Sequence, residues 1–441
     1  MGIIDRGKDY LKRNGIKSTF FTGLQHIENA VSDIGYNIYL KSKKNRREYA
    51  AADKQELKIS ILVPVYEPDI HFLTEMVQSV LDQTYGNFEL ILSDGSLTEN
   101  FEVLKLAKSD KRIRYIRAGE GGGISDNTNE ALRVAAGRVV AFMDQDDLIE
   151  PRALELIASE FDKGAVIVYT DEDKYLTGKN RYASPYRKRD YNFDLLLSNN
   201  YICHMFAVKR SLARQVKGFN PKYDGAQDHD FILRCCDSTD EDKIVHIKKI
   251  LYHWRAHDGS SAENPMAKVY AYESGKRAVR HFLREKRINT VVCDTAHLGF
   301  FRVEYKDEFP HSGYTLFIDD KLTPLTEDHE RILSSYFARS DIGIVGGRVI
   351  SPDGRIMESG YEKDENGRIR SLFQGRDYRL PGAFNLSECV MDTEAVSKYA
   401  CAVRNELLDC MDGNSYTICS RIRKRGYRVV IDPKVVFVKN R

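Results

Sequence analysis

The sequence predicts an α/β protein, a doubly wound mixed sheet followed by a degenerate, partial copy of the same architecture. Three observations carry this. Lys58–Tyr66 (KISILVPVY) is β-branched and almost continuously apolar, the signature of a strand buried on both faces. Such runs then alternate with segments of helical period as far as Met143. Further along, Val140–Ile149 (VAFMDQDDLI) is echoed by Thr315–Thr323 (TLFIDDKLT).

The first strand ends in Pro64-Val-Tyr-Glu-Pro68, a turn. Phe72–Gln83 carries Leu73, Met76, Val77, Val80 and Leu81 at helical spacing, and Phe88–Leu92 is a second apolar strand closing on Ser93-Asp94-Gly95-Ser96. A helix near 99–108, a strand at Ile113–Ile116, a glycine-rich loop, a helix over Asp126–Ala135 and a strand at Val139–Met143 continue the alternation. Ligands of doubly wound sheets bind outside the carboxyl ends of the strands. The candidate segments are therefore 64–68, 94–96, 119–126 and 144–147.

The length of 441 residues suits two or three domains. With 67 basic against 65 acidic side chains, no global field points to nucleic acid as a partner. The eight cysteines form no CxxC pair, and no stretch reads as a signal peptide or a membrane span, so a cytoplasmic protein is expected. Residues 1–57 read as a basic, helical leader. The run Lys41–Arg47 within it would suit peripheral contact with anionic lipid at the inner face of the cell membrane, or simply a solvated surface.

Asp144-Gln145-Asp146-Asp147 places three carboxylates on four residues at the sheet's ligand edge. Such charge density calls for a hard divalent cation, Mn²⁺ or Mg²⁺, with a nucleoside diphosphate as natural co-ligand. The competing reading is that Asp147 caps a helix entered through Pro151.

Together VPVYEP, SDGS, GGIS with Asn129 four residues beyond Ser125, and FMDQDD resemble the family 2 glycosyltransferases of the GT-A fold, in particular bacterial surface-polysaccharide enzymes of O-antigen and rhamnan type. The resemblance implies that Pro64, Val65 and Tyr66 line a nucleobase pocket, Glu67 reaches the ribose, and Asp94 accepts from the base's imide N–H. It places Ser96, Ser125, Asn129 and Gln145 on the donor side, turns Asp144 to the ribose and diphosphate, and gives the metal to Asp146 and His257. Asp228, in Gln227-Asp-His-Asp, takes the place of the catalytic base, with Gln227 where the family commonly has Glu. Asp228 or Asp230 could instead cap a helix or pair with Arg234. Where the family often has a basic residue before Asn129, this chain has Thr128. The implied activity is inverting, single-addition transfer from a UDP- or dTDP-sugar to a saccharide acceptor, lipid-linked by the same resemblance. Tyr169–Asp173 forms a second acidic cluster at a strand end, suited either to the acceptor or to an exposed turn.

The expected organisation is a leader over 1–57, a catalytic GT-A domain over 58–258, a helical connector over 259–312 and a degenerate GT-A-like domain over 313–441. Aligning the echo puts Lys321 opposite Asp146 and Ser415 opposite Asp228, so the second domain should hold no chemistry and serve acceptor, partner chain or second protomer. A dehydrogenase would need a GxGxxG after a strand, and a pyrophosphorylase a basic glycine-rich loop after the first strand; neither is present. A non-catalytic nucleotide-sugar-binding protein of an assembly complex remains the rival from another class.

Overall fold

A computed structural model describes residues 33, 35, 36, 56–119, 122–256, 269–307, 309–364 and 366–440. Most of the leader, including Lys41–Arg47, and His257 lie outside these residues. The chain divides into two compact units, Val31–Tyr191 with Asn200–Phe282, and Asn192–Asn199 with Leu283–Arg441.

The first unit contains strands β1 (Ile59–Val65), β2 (Phe88–Asp94), β3 (Ile113–Arg117), β4 (Val139–Phe142), β5 (Leu148–Ile149), β6 (Ile167–Leu176), β7 (Arg181–Tyr186), β8 (Phe206–Lys209) and β9 (Ile244–Ala256). Its helices are α1 (Ile70–Leu81), α2 (Phe101–Ala107), α3 (Ile124–Val134), α4 (Ala153–Asp162), α5 (Arg210–Gln215), α6 (Gln227–Asp237) and α7 (Val269–Glu285). One mixed sheet runs β3-β2-β1-β4-β8-β6-β9-β5, with β7 beside β6. The first four strands are parallel, β8 is antiparallel to both neighbours, β9 is parallel to β6, and β5 is antiparallel to β9. This is the doubly wound sheet that the apolar runs predict. Ile59, Ile61, Val63 and Val65 of β1 pack with Leu73, Met76, Val77 and Val80 of α1, the apolar stripe seen in the sequence. Asp69 starts that helix by accepting the His71 and Phe72 amides. Strand order reverses between β1 and β4, which opens a crevice at their carboxyl ends.

The acidic cluster at Tyr169–Asp173 is neither a strand end nor an exposed turn, because β6 runs on to Leu176 alongside β9. Its carboxylates are consumed internally. Asp171 meets His246 at 2.8 Å, Glu172 meets Lys188 at 2.9 Å, and Asp173 meets His253 at 2.6 Å and the Tyr36 hydroxyl at 2.7 Å.

The second unit has strands β10 (Thr290–Asp294), β11 (Phe301–Tyr305), β12 (Tyr314–Ile318), β13 (Leu322–Pro324), β14 (Ile342–Ile350), β15 (Ile356–Glu358), β16 (Tyr361–Lys363), β17 (Ile369–Ser371), β18 (Met391–Asp392), β19 (Ala400–Arg404) and β20 (Arg428–Lys439). Its main sheet runs β12-β19-β14-β20-β13. The pairings are antiparallel, antiparallel, parallel and antiparallel, the same succession as β4-β8-β6-β9-β5. Chain order matches too: the partners of β4, β5, β6, β8 and β9 are β12, β13, β14, β19 and β20, and a helix at Ser415–Lys424 precedes β20 as α6 precedes β9. Nothing among the described residues of this unit corresponds to β1–β3.

The echo extends to single side chains. Arg234 donates to the Val216 and Gly218 carbonyls at the end of the α5 segment, and Arg421 donates to the Cys410 and Asp412 carbonyls in the matching place. The loop from Phe317 to Leu322 is one residue shorter than that from Phe142 to Leu148. Counted forward from β12, Lys321 stands opposite Asp146; counted back from β13, it stands opposite Asp147.

Candidate active site

The crevice beyond β1 and β4 is lined by Pro64 and Asp144 from the ends of those strands, by Cys203, His204 and Asp228, and by Phe206 and Phe231. Each part of the lining is built by a different device.

The ends of β1 and β2 are tied together. The Gly95 amide donates to the Val65 carbonyl at 2.9 Å, the Glu67 amide to Ser96 Oγ at 2.8 Å, and the Leu97 amide to Glu67 Oε1 at 3.0 Å. Glycine suits position 95, because a Cβ would lie 2.2 Å from Asn127 Nδ2 and displace that side chain. Tyr66 is half exposed, as a ring offered to a ligand would be. Gln145 brackets its backbone, accepting the Tyr66 amide at 2.9 Å and donating to its carbonyl at 3.2 Å. Asp94 is fully buried; it accepts from the Ser96 amide and the Tyr115 hydroxyl, both at 2.9 Å, with Arg117 at 3.5 Å. Tyr115 and Arg117 escaped the sequence reading because β3 carries no motif to single them out.

The acidic loop after β4 divides its labour. Asp147 is buried and accepts from the Tyr252 hydroxyl and, at 2.8 Å, the Arg255 amide. It does not cap α4, whose first residue is preceded by Arg152 without a side-chain cap. Burial, then the charges of Asp146 and Asp144, push the Asp147 carboxyl well above its ordinary range. Arg255, also buried, donates to the Asp146 carbonyl and meets Glu75 at 2.7 Å. Asp147 and Arg255 thus lock the loop from below, leaving the Asp144 and Asp146 side chains half-buried at its surface. Two hard oxygen donors, two residues apart, in a loop whose negative charge already disfavours ionisation of the third, fit a divalent cation.

The Cys203–His204 segment rides on Lys188. Its buried ammonium donates to the Ile202 carbonyl at 2.6 Å, to the His204 carbonyl, and to Glu172, anchoring the loop before β8. His204 stacks on the Tyr252 ring, centroids 5.0 Å apart, and its Nε2 is 3.6 Å from Asp144 Oδ2. Asp228, in the first turn of α6, accepts from Asn200 Nδ2 at 2.9 Å and from the Cys203 thiol at 3.4 Å. Burial, then the Asp228 charge, push that thiol well above its ordinary value, so it stays protonated and donates. The Arg234 pairing falls to Asp230, at 3.0 Å from Nε, which leaves Asp228 turned to the crevice.

Ser125 and Asn129 join α3 to the segment before Asp228. Ser125 Oγ donates to Asp224 Oδ1 at 2.5 Å, and Asn129 both accepts from the Phe219 amide and donates to its carbonyl at 2.8 Å. His253 is buried between Asp173 and Glu150. Burial alone would lower its pKa, but those carboxylates reverse this and lift it to about 9.

Residues 60–217 match the sequence model of glycosyl transferase family 2. An uncharacterized protein of Sinorhizobium fredii is 38% identical over 280 residues, 62% of this chain and 30% of that protein. The O-antigen biosynthesis protein RfbC of Myxococcus xanthus is 32% identical over 252 residues, 56% of this chain and 20% of that protein. The chain thus spans about a fifth to a third of the length of these curated relatives. A crystal structure of S. aureus TarS 1-349 in complex with UDP-GlcNAc aligns with a TM-score of 0.43 and 18% identity, over 52% of this chain and 66% of that one. Residues 60–217, the segment that supplies β1–β4 and the acidic loop, are a glycosyl transferase family 2 domain.

Proposed function

We propose that this chain is an inverting glycosyltransferase that moves one sugar at a time from a UDP- or dTDP-sugar to a saccharide acceptor, lipid-linked, in bacterial surface-polysaccharide synthesis. The observation that carries the reading is that Asp144 and Asp228 line one crevice. The relationship to an O-antigen biosynthesis protein supports the polysaccharide setting.

In this reading Pro64, Val65 and Tyr66 hold the base, Glu67 and Ser96 the ribose, and Asp94 the imide edge of the pyrimidine, while Asp144 and Gln145 frame the diphosphate. Asp146, with His257, would hold Mn²⁺ or Mg²⁺, which when bound supplies charge neutralisation for the departing diphosphate. Asp228 removes the proton of the acceptor hydroxyl as its oxygen attacks the anomeric carbon, and the bond from that carbon to the diphosphate breaks on the opposite face. Asn200 fixes the carboxylate in place.

Nucleotide release from a panel of nucleotide sugars with Mn²⁺, in the wild type and Asp228→Asn, tests this. Turnover with a UDP- or dTDP-sugar that falls at least about 10²-fold in the variant is expected. Binding of donors without any turnover would instead make the protein a nucleotide-sugar-binding component.

A further inference from the structure

Cys203, His204 and Asp228 each bring one donor atom to within 4.8 Å of the other two. The set is chemically unlike the acidic loop: thiol, imidazole and one carboxylate, where Asp144 and Asp146 offer oxygen alone. Sulfur and nitrogen donors select Zn²⁺, whereas oxygen donors suit Mn²⁺ and Mg²⁺.

The geometry is close to what tetrahedral zinc needs. Bond lengths near 2.3 Å to sulfur and 2.0–2.2 Å to oxygen place the two ligand atoms about 3.6 Å apart. Cys203 Sγ and Asp228 Oδ2 already stand at 3.4 Å. The imidazole has only to close by about an ångström, a side-chain rotation. His204 Nδ1 is moreover buried with no hydrogen-bond partner among the described residues, an unmet polar atom of the sort a ligand satisfies. The backbone is held in readiness: Lys188 grips the carbonyls of 202 and 204, and Cys203 itself is at φ +34°, a conformation unusual for a residue with a side chain. A water would fill the fourth position.

We propose that Cys203, His204 and Asp228 form a binding site for Zn²⁺ on the acceptor side of the crevice, and that its occupancy shuts off sugar transfer. On binding, the S–H bond breaks, a Zn–S bond forms, and the proton leaves to solvent. The bound metal then occupies the carboxylate that would accept the acceptor's proton. The inhibitory half rests on Asp228 being the base; the binding half does not.

The full chain, stripped of metal, is titrated with Co²⁺ as a spectroscopic stand-in for zinc. A thiolate-to-cobalt charge-transfer band in the near ultraviolet is expected, displaced by Zn²⁺ and absent from Cys203→Ser. In competition with a chromophoric chelator, Cys203→Ser and His204→Ala should each bind Zn²⁺ at least tenfold more weakly than the wild type. A cobalt spectrum without that band, or equal zinc affinities, overturns the site. With Mn²⁺ saturating, Zn²⁺ should inhibit the wild type at least tenfold more potently than Cys203→Ser, each measured against its own zinc-free rate; equal inhibition overturns the regulatory half. If no donor is turned over at all, the transferase reading fails while the cobalt and chelator results still decide the site.

Discussion

At the scale of single residues, the carboxylates of the acidic loop look alike in sequence and differ in the fold. Asp147 is held from beneath by Tyr252 and Arg255, residues more than a hundred positions away, so nothing local distinguished it from its neighbours. The motif announced that charge would gather here; which carboxylate was structural depended on β9 running behind the loop. Removing the phenolic hydroxyl leaves a buried carboxyl short of a partner. Tyr252→Phe should therefore lower stability by about 1–3 kcal/mol, read as a shifted denaturant midpoint at unchanged slope, and should weaken Mn²⁺ binding through the loosened loop. Unchanged midpoint and unchanged metal affinity would remove Tyr252 from this role.

Asn129 is a second case in which spacing identified a residue without its task. Its distance from Ser125 matches a family pattern, but both ends of its amide are satisfied by the Phe219 backbone, ninety residues on. Asn129→Ala should cost about 1–3 kcal/mol of stability, and its effect on donor affinity, measured by titration calorimetry, should be the smaller one. A variant that folds as stably as the wild type yet fails to bind donor would reverse that order.

Among elements, the apolar strands and the amphipathic α1 were legible because a single period fixed them. The start of helix α6 was legible only through the family resemblance, and the loop before β8 not at all. Their positions follow from Lys188, Arg234 and Asn200, whose bonds to the Ile202 and Val216 carbonyls and to Asp228 no sequence period announces. The same blindness explains the acidic stretch in β6: carboxylates in a row suggest an exposed turn, and only the cations supplied by β9 and by Lys188 allow them inside. Gly95 is an element-scale constraint of another kind, since it lets the β2 turn pass against α3. Gly95→Ala would force Asn127 aside, and a fall in melting temperature of several degrees is expected, with donor binding weakened alongside it.

At the scale of the whole molecule, pH should act through His253. Its folded pKa of about 9 lies above the ordinary 6.5, so its contribution is complete below about pH 6.5 and fades as the pH rises through 9. His246 is also shifted upward: burial opposes the shift, but Asp171 and Asp190 outweigh it, and its contribution has the same sign. Stability should fall from pH 6.5 towards 9.5, and His253→Gln should lower the melting temperature most at the acid end of that range and least above pH 9. A variant whose deficit grows with pH would contradict the sign.

The paired arginines, Arg234 and Arg421, give the molecule an internal control. Both halves keep the arginine that draws a helix onto the carbonyls of the preceding turn, and both keep a short contact between the helix start and the loop before the adjoining strand. In one half that contact joins Asp228 to the Cys203 thiol; in the other it joins Ser415 to the Lys398 amide. Subtracting one half from the other separates what folding demands from what chemistry demands. Whatever survives in both is architecture, and whatever is found once is a candidate for work on substrate.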